Sequence, residues 1–184
     1  MGGHESLKGS LLVASPALHD PNFRRTVVLV TEHTEEGAMG LVLNRSSTAA
    51  VAEAVPALEA LAAGDDLVRL GGPVETGAVV VLLEFDDPDD AAAIVLGDVG
   101  FLPAEADPDE LVGRTRRVRA FAGYAGWGEG QLEGELEEEA WIVAPALPDD
   151  VFSTEEETLW STVLRRKGGR YRLVAMMPLD PSLN

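Results

Sequence analysis

Thr26-Val27-Val28-Leu29-Val30-Thr31 is β-branched or apolar at every position, not at alternate ones. Successive side chains of a strand point to opposite faces, so such a run must be covered above and below. The chain therefore has to build a sheet with packing on both sides. Residues 10–14, 39–44, 67–70, 78–85, 116–124 and 141–144 read as further strands, and residues 92–96 as an edge strand. Thr34-Glu35-Glu36-Gly37 is turn chemistry and predicts a hairpin between 26–31 and 39–44.

Helix signals are fewer. Ser47 or Thr48 is placed to cap a helix through Val55, stopped by Pro56. Residues 108–112 suit one helical turn. Gly126-Trp127-Gly128-Glu129-Gly130 reads as a loop into a helix ending near Glu139, with Leu132, Leu136 and Ala140 on one face. Thr154 and Glu157 have capping-box spacing, and the helix after them presents Leu159, Trp160, Val163 and Leu164 to a core. Arg165, Arg166 and Lys167 suit its C-terminal dipole, and Gly168 ends it. Residues 173–177 read as a last strand or an arm. Strands paired early and alternating with helices late predict an α+β domain. No repeat or linker divides residues 1–184, so a single domain is expected, with residues 1–8 mobile.

Composition narrows the function classes. The chain has no cysteine, which excludes disulfides, thiolate zinc sites, iron–sulfur clusters and a cysteine nucleophile. Acids outnumber bases 32 to 14, for a formal net charge of −18. That field disfavours nucleic-acid phosphates and anionic lipid. No 18 consecutive apolar residues occur, so no membrane span is expected, and no apolar leader is readable. Met1-Gly2-Gly3-His4-Glu5-Ser6 formally fits a myristoylation pattern, but patterns this short match by chance.

The residues that carry chemistry are sparse. His19 and Asp20, with Glu32 and His33, are the acid–base or metal candidates, yet they lack the i, i+4 spacing that aims two histidines at one ion. Ser15, His19 and Asp20 contain the letters of a triad without a Gly-x-Ser-x-Gly turn. Gly123-Tyr124-Ala125-Gly126-Trp127-Gly128 between a strand and a helix can present N–H groups to an anion. It is neither a dinucleotide fingerprint nor a Walker loop, and close packing also explains its glycines. Arg114, Arg116, Arg117 and Arg119 form the only basic strand. Alternation puts Arg116 on one face and Arg117 and Arg119 on the other, which favours pairing with acids over a nucleic-acid groove.

Three blocks recur together. One is Pro16-Ala17-Leu18-His19-Asp20-Pro21-Asn22-Phe23, followed by Val27-Val28 and by the stretch from Glu32 to Asn44. The second is Gly71-Gly72-Pro73-Val74. The third runs from Gly123 to Leu132, with Glu135 and Trp141 beyond it. Together they resemble the bacterial YqgE/AlgH family over nearly the whole chain. The resemblance implies an α+β fold whose mixed, largely antiparallel sheet curls into a pseudo-barrel flanked by helices. It also implies a cytoplasmic protein and a transcriptional-regulatory label that names no molecular activity. The chain departs from the family where Leu82-Leu83-Glu84 stands in place of a Leu-His, and at Ser46, where many members have proline.

These readings predict a binding or regulatory module acting through protein or small-ligand contacts, with no cofactor, bound metal, generic DNA binding or membrane association. Its expected site is where the His19 loop, the Gly71-Gly72-Pro73 turn and the Gly126 loop meet: His19, Asp20, Asn22, His33, Asn44, Gly71, Gly72, Gly126, Trp127 and Gln131. The alternative is an enzyme of unassigned chemistry, such as a metal-dependent hydrolase using His19, Asp20 and His33.

Overall fold

A computed structural model describes residues 5–178. Residues 1–4, which hold most of the myristoylation pattern and half of the start expected to be mobile, lie outside the described residues. Ten strands form the sheet: β1 Ser10–Ala14, β2 Val27–Thr34, β3 Gly37–Val42, β4 Ser46–Ala50, β5 Leu67–Leu70, β6 Val74–Phe85, β7 Ile94–Leu96, β8 Val99–Phe101, β9 Thr115–Trp127 and β10 Trp141–Pro145. The main path runs β10-β1-β2-β3-β9-β6-β8-β7. β5 joins β9, and β4 joins β5. The β5–β9 pairing is parallel, and every other pairing among the described residues is antiparallel. The sheet curls without closing: a Cβ on Gly9, just before β1, would lie 2.9 Å from the Val95 carbonyl oxygen of β7. The fold is the α+β pseudo-barrel that the resemblance implies.

β2 is covered on both sides. Val27 and Leu29 join one apolar cluster with Leu82, Phe121 and Trp160. Val28 and Val30 join the other with Trp127, Leu132 and Trp141. Helix α4, Glu156–Lys167, closes the first cluster with Leu159, Trp160, Val163 and Leu164. The Trp160 indole N–H donates to the Ala14 carbonyl at 2.9 Å, fixing the helix to β1. Helix α2, Gln131–Glu137, covers the second cluster with Leu132. Among the described residues no helix is long and apolar enough to cross a membrane.

Several elements differ from the sequence reading. Residues 46–50 are the strand β4, paired with β5, and only Val51–Ala54 is helical (α1). A polar Ser-Ser-Thr run takes a strand when a partner edge stands beside it, whatever its capping potential. Gly126 and Trp127 belong to β9, where Trp127 pairs with Ala38. The edge strand expected at 92–96 is present as β7, at the end of the sheet path, and pairs with β8, which the sequence reading did not anticipate. The Thr154/Glu157 capping box does not form: the N-cap is Glu155, without a side-chain cap. Instead Ser153 Oγ accepts the Glu155 N–H at 3.1 Å. After the short helix α3, Pro148–Val151, and α4, residues 173–177, expected as a last strand or an arm, hold no strand: they start inside the helical turn α5, Tyr171–Val174, and continue as a turn.

Candidate functional site

The residues expected to form a composite site are distributed along the sheet, and most have structural duties. The three segments do converge on the C-terminal part of β9. Phe23 stacks on Trp127 with ring centroids 6.3 Å apart, and a Cβ on Gly72 would lie 2.2 Å from the Tyr124 backbone. The Asp20 carboxylate accepts the Asn22 N–H at 2.9 Å in an Asx turn, leaving His19, Asp20 and Asn22 exposed. The Asn22 carbonyl accepts Arg45 Nη1 at 2.6 Å. Asn44 clamps the start of β2, accepting the Val27 N–H and donating to the Arg25 carbonyl, both at 2.9 Å. Gly71 abuts the Gly123 carbonyl, Gly126 pairs with Met39, and Gln131 Oε1 accepts the Gly128 N–H at 3.0 Å.

His33 is buried with both ring nitrogens engaged. Nδ1 accepts the Leu7 N–H at 2.9 Å, so Nε2 carries the proton facing Glu133 Oε1 at 2.7 Å. A hydrolytic metal on His19, Asp20 and His33 would need a nitrogen that is already used. Among the described residues no group of three or more His, Asp or Glu is arranged to hold a metal.

Trp127 and Trp141 share one acceptor. Glu135 Oε1 takes their indole N–H groups at 3.3 and 3.0 Å, and the rings meet edge to face at 6.1 Å. Glu135→Ala strands two buried donors at once. It is expected to lower stability by about 2 kcal/mol, read as a reduced urea midpoint in tryptophan fluorescence.

A different place gathers polar atoms without hydrogen bonds. β5 covers the outer edge of β9 only at Phe121 and Ala122, so the Arg116–Arg119 stretch has β6 on one side and no strand on the other. A cleft of about 480 Å³ opens there, between the 61–67 segment and the chain entering α4. Arg69, Arg116, Arg117 and Arg119 line it, with Asp65, Asp66 and Glu156 opposite. Arg69 and Arg119 are buried, 5% and 3% exposed. Arg119 gives Nη1 to Asp66 at 2.9 Å and Nη2 to the Ser153 carbonyl at 3.3 Å, but its Nε–H has no acceptor. Arg69 Nε lies 3.0 Å from Glu156 Oε1, out of line for a hydrogen bond, so both atoms are also unsatisfied. The fourth such atom among the described residues, Asp90 Oδ2, does not line the cleft.

The outer arginines are held in place from behind. Arg117 grips Glu84 with two bonds, 3.0 and 2.7 Å, reaches Asp149 at 2.8 Å and lies 4.7 Å over the Phe152 ring. Its pKa is raised, first by the hydrogen bond to Glu84. Glu84 belongs to the segment where the family pattern leads one to expect a histidine. Arg116 bonds Asp98 at 2.8 Å. Arg119 differs. Its pKa is lowered, first by burial and then by the like charge of Arg69, against which Asp66 and Glu156 pull. Two buried guanidiniums thus repel each other at the wall of the cleft, where an added negative charge is favoured.

The AlgH-like family model, DUF179, matches residues 11–172. The chain belongs to the AlgH-like family. A UPF0301 protein of Streptomyces avermitilis is 45% identical over 97% of this chain and 96% of its own. One of Mycobacterium avium is 42% identical over 96% and 90%. The crystal structure of DIP2367 from Corynebacterium diphtheriae superposes with a TM-score of 0.85 at 31% identity, covering 96% of this chain and 95% of that one. The solution structure of AlgH from Pseudomonas aeruginosa gives 0.72 at 31% identity, covering 97% of each chain. The sequence reading missed this AlgH-like chain's cleft because Arg69 stands alone in Leu67-Val68-Arg69-Leu70 and Glu156 reads as a helix face. The available signal was the charge inside an otherwise apolar strand.

Proposed function

We propose that this AlgH-like chain is a cytoplasmic ligand-binding regulatory module, and that a small anion occupies the arginine cleft. The observation that carries the reading is the pair of buried guanidiniums, Arg69 and Arg119, that line one cleft. Each is paired, Arg69 with Glu156 and Arg119 with Asp66, yet the two like charges still oppose each other, and an anion beside them relieves that repulsion. The cleft's volume lies in the range of small-molecule sites. No histidine lines it, which favours binding over acid–base catalysis. The segment from Phe152 to Glu156 connects the cleft to α4, so an occupant is positioned to adjust that helix against the sheet. The exposed His19, Asp20 and Asn22 loop is the surface we assign to protein contact.

Calorimetric titration with acetate, phosphate and larger carboxylates tests the reading. Saturable binding of at least one anion is expected, lost in Arg119→Met. Binding that survives that substitution unchanged rules the cleft out.

Direct regulation through DNA is not expected, because each cleft arginine already faces a carboxylate. Fluorescence anisotropy with duplex DNA at about 50 mM salt, where counterion release favours binding most, should show no micromolar association. Affinity that falls steeply with salt would contradict this.

A further inference from the structure

We infer that the surface formed by the end of α4, by α5 and by the turn after it docks an acidic, amphipathic protein segment, one with apolar anchors between aspartates or glutamates. This rests on the protein-contact reading of the His19 loop and gives that contact a chemistry. It stands apart from the anion cleft, because α4 runs from Glu156 in the cleft to Lys167 at this surface, about 18 Å away.

Charge here is opposite in sign to the rest of the chain. Residues 158–178 contain no Asp or Glu, yet they hold five of the 14 bases of a protein whose net charge is −18. Two of the five are committed, Arg166 to Asp150 at 2.7 Å and Lys167 to the Val143 carbonyl at 2.6 Å. Arg165, Arg170 and Arg172 are exposed, and among the described residues none of them forms a salt bridge. Glu139 attracts Arg170 without pairing with it. Lys167 and Arg170 stand 5.0 and 5.1 Å from the centroid of the Tyr171 ring, so the cations gather round one aromatic.

Apolar groups stand among these cations. Leu173, Met176 and Met177 are 71%, 73% and 46% exposed. They follow at i, i+3 and i+4, and the Met176 N–H bonds the Leu173 carbonyl at 3.1 Å, so the three share one side. The backbone beneath them is held. Ala175 is buried, and Arg25 donates Nη1 to the Met177 carbonyl at 2.8 Å while lying 4.0 Å over the Trp160 ring. That bond joins the surface to the loop that carries His19, Asp20 and Asn22. Exposed apolar side chains on a held backbone, ringed by cations, fit an occupant that is apolar and acidic together. Methionine adapts its shape to such a partner. A polyphosphate would use the guanidiniums and leave Leu173 and the methionines in water. An anionic bilayer is a plane and would also meet the acids of the surrounding surface. A second copy meeting through the same surface would set arginine against arginine.

The test uses a fluorescein-labelled helical peptide with leucines at i, i+3, i+4 and i+7 and glutamates elsewhere, and its twin with lysine for every glutamate. Anisotropy is read on the full chain, and the ε-methyl signals of Met176 and Met177 are followed by NMR, with Met39 of β3 as a distant control. The glutamate peptide is expected to bind and to shift both methyl signals saturably, and the lysine twin to do neither. Leu173→Ser with Met176→Ser, and separately Arg170→Glu with Arg172→Glu, should each weaken binding at least about tenfold. These side chains are exposed, so the urea midpoint should stay in place. Equal binding of the two peptides, no binding, or binding that ignores all four substitutions would overturn the proposal. Phosphatidylserine vesicles that move the methyl signals where the peptide does not would overturn it in favour of lipid. A concentration-dependent dimer that the same substitutions dissolve would overturn it in favour of a second copy. Anion titration should be unchanged in every one of these variants, which keeps the cleft reading separate from this one.

Discussion

Gly72→Ala is expected to destabilise the protein by about 3 kcal/mol or more, whereas Gly126→Ala should change stability by less than about 1 kcal/mol. Both glycines belong to the motifs that make the sequence recognisable, but they meet different surroundings. A Cβ on Gly72 would lie 2.2 Å from the carbonyl carbon and oxygen of Tyr124 and 2.4 Å from the Ala125 nitrogen. These are backbone atoms of the longest strand, paired on both sides, and they have no flexible end to give way. The φ of Gly72 is 155°, a value that L side chains rarely adopt, which adds strain to the clash. At Gly126 the same atom would meet Tyr124 Cε2 and Val74 Cγ2 at 3.7 Å, ordinary van der Waals contact. Urea unfolding of the two variants measures the contrast. Equal, small losses would mean that the turn over β9 is looser than described.

The second large effect separates stability from function in the cleft. Asp66→Ala is expected to destabilise by about 3 kcal/mol or more, because it leaves the buried Arg119 guanidinium facing Arg69 with its closest carboxylate gone. The double replacement Arg119→Met with Asp66→Leu should behave in the opposite way. It removes both buried charges, and with them the repulsion from Arg69, and it fills similar space with apolar atoms. Replacing a whole buried ion pair by apolar side chains is often neutral or stabilising. A melting temperature equal to or above that of the parent chain is therefore expected for the double variant, together with loss of anion binding. If the double variant were as damaging as Asp66→Ala, the ion pair would be a structural member of the sheet edge, with no functional meaning.

The frame of the molecule was legible because it rests on local patterns. The unbroken apolar run of β2 required cover on both faces, and its residues divide between the two cores. Turn chemistry at residues 34–37 gave the β2–β3 hairpin, and the apolar spacing of α4 named the residues it buries. What failed depended on distant partners. Residues 46–50 carry helix-capping letters but extend because β5 lies beside them. Residues 126–127 carry loop letters but extend because β3 does.

The candidate site was harder for the same reason. The arginines of β9 do pair with acids, but alternation does not keep Arg116 apart from Arg117 and Arg119: long side chains at a strand edge bring all three to one cleft, and Arg116 and Arg117 to the same Glu84. Nor does alternation reveal that Arg69, from another strand, joins them across an uncovered edge with Glu156 from a helix. The glycine and histidine motifs drew attention to residues whose packing explains them: Gly71 and Gly72 against β9, and His33 beneath α2.

The measurement that tests the central claim most directly is the side-chain ¹H–¹⁵N signal of Arg119 Nε during titration with a small carboxylate. The Arg119 guanidinium forms part of the cleft wall, so its Nε–H signal should shift saturably as an anion settles against that wall, with the Arg69 Nε signal moving alongside it. The Arg117 Nε–H, already bonded to Glu84 at 3.0 Å, should move far less. An Arg119 signal that stays fixed while resonances elsewhere respond would contradict the account and place the ligand outside the cleft.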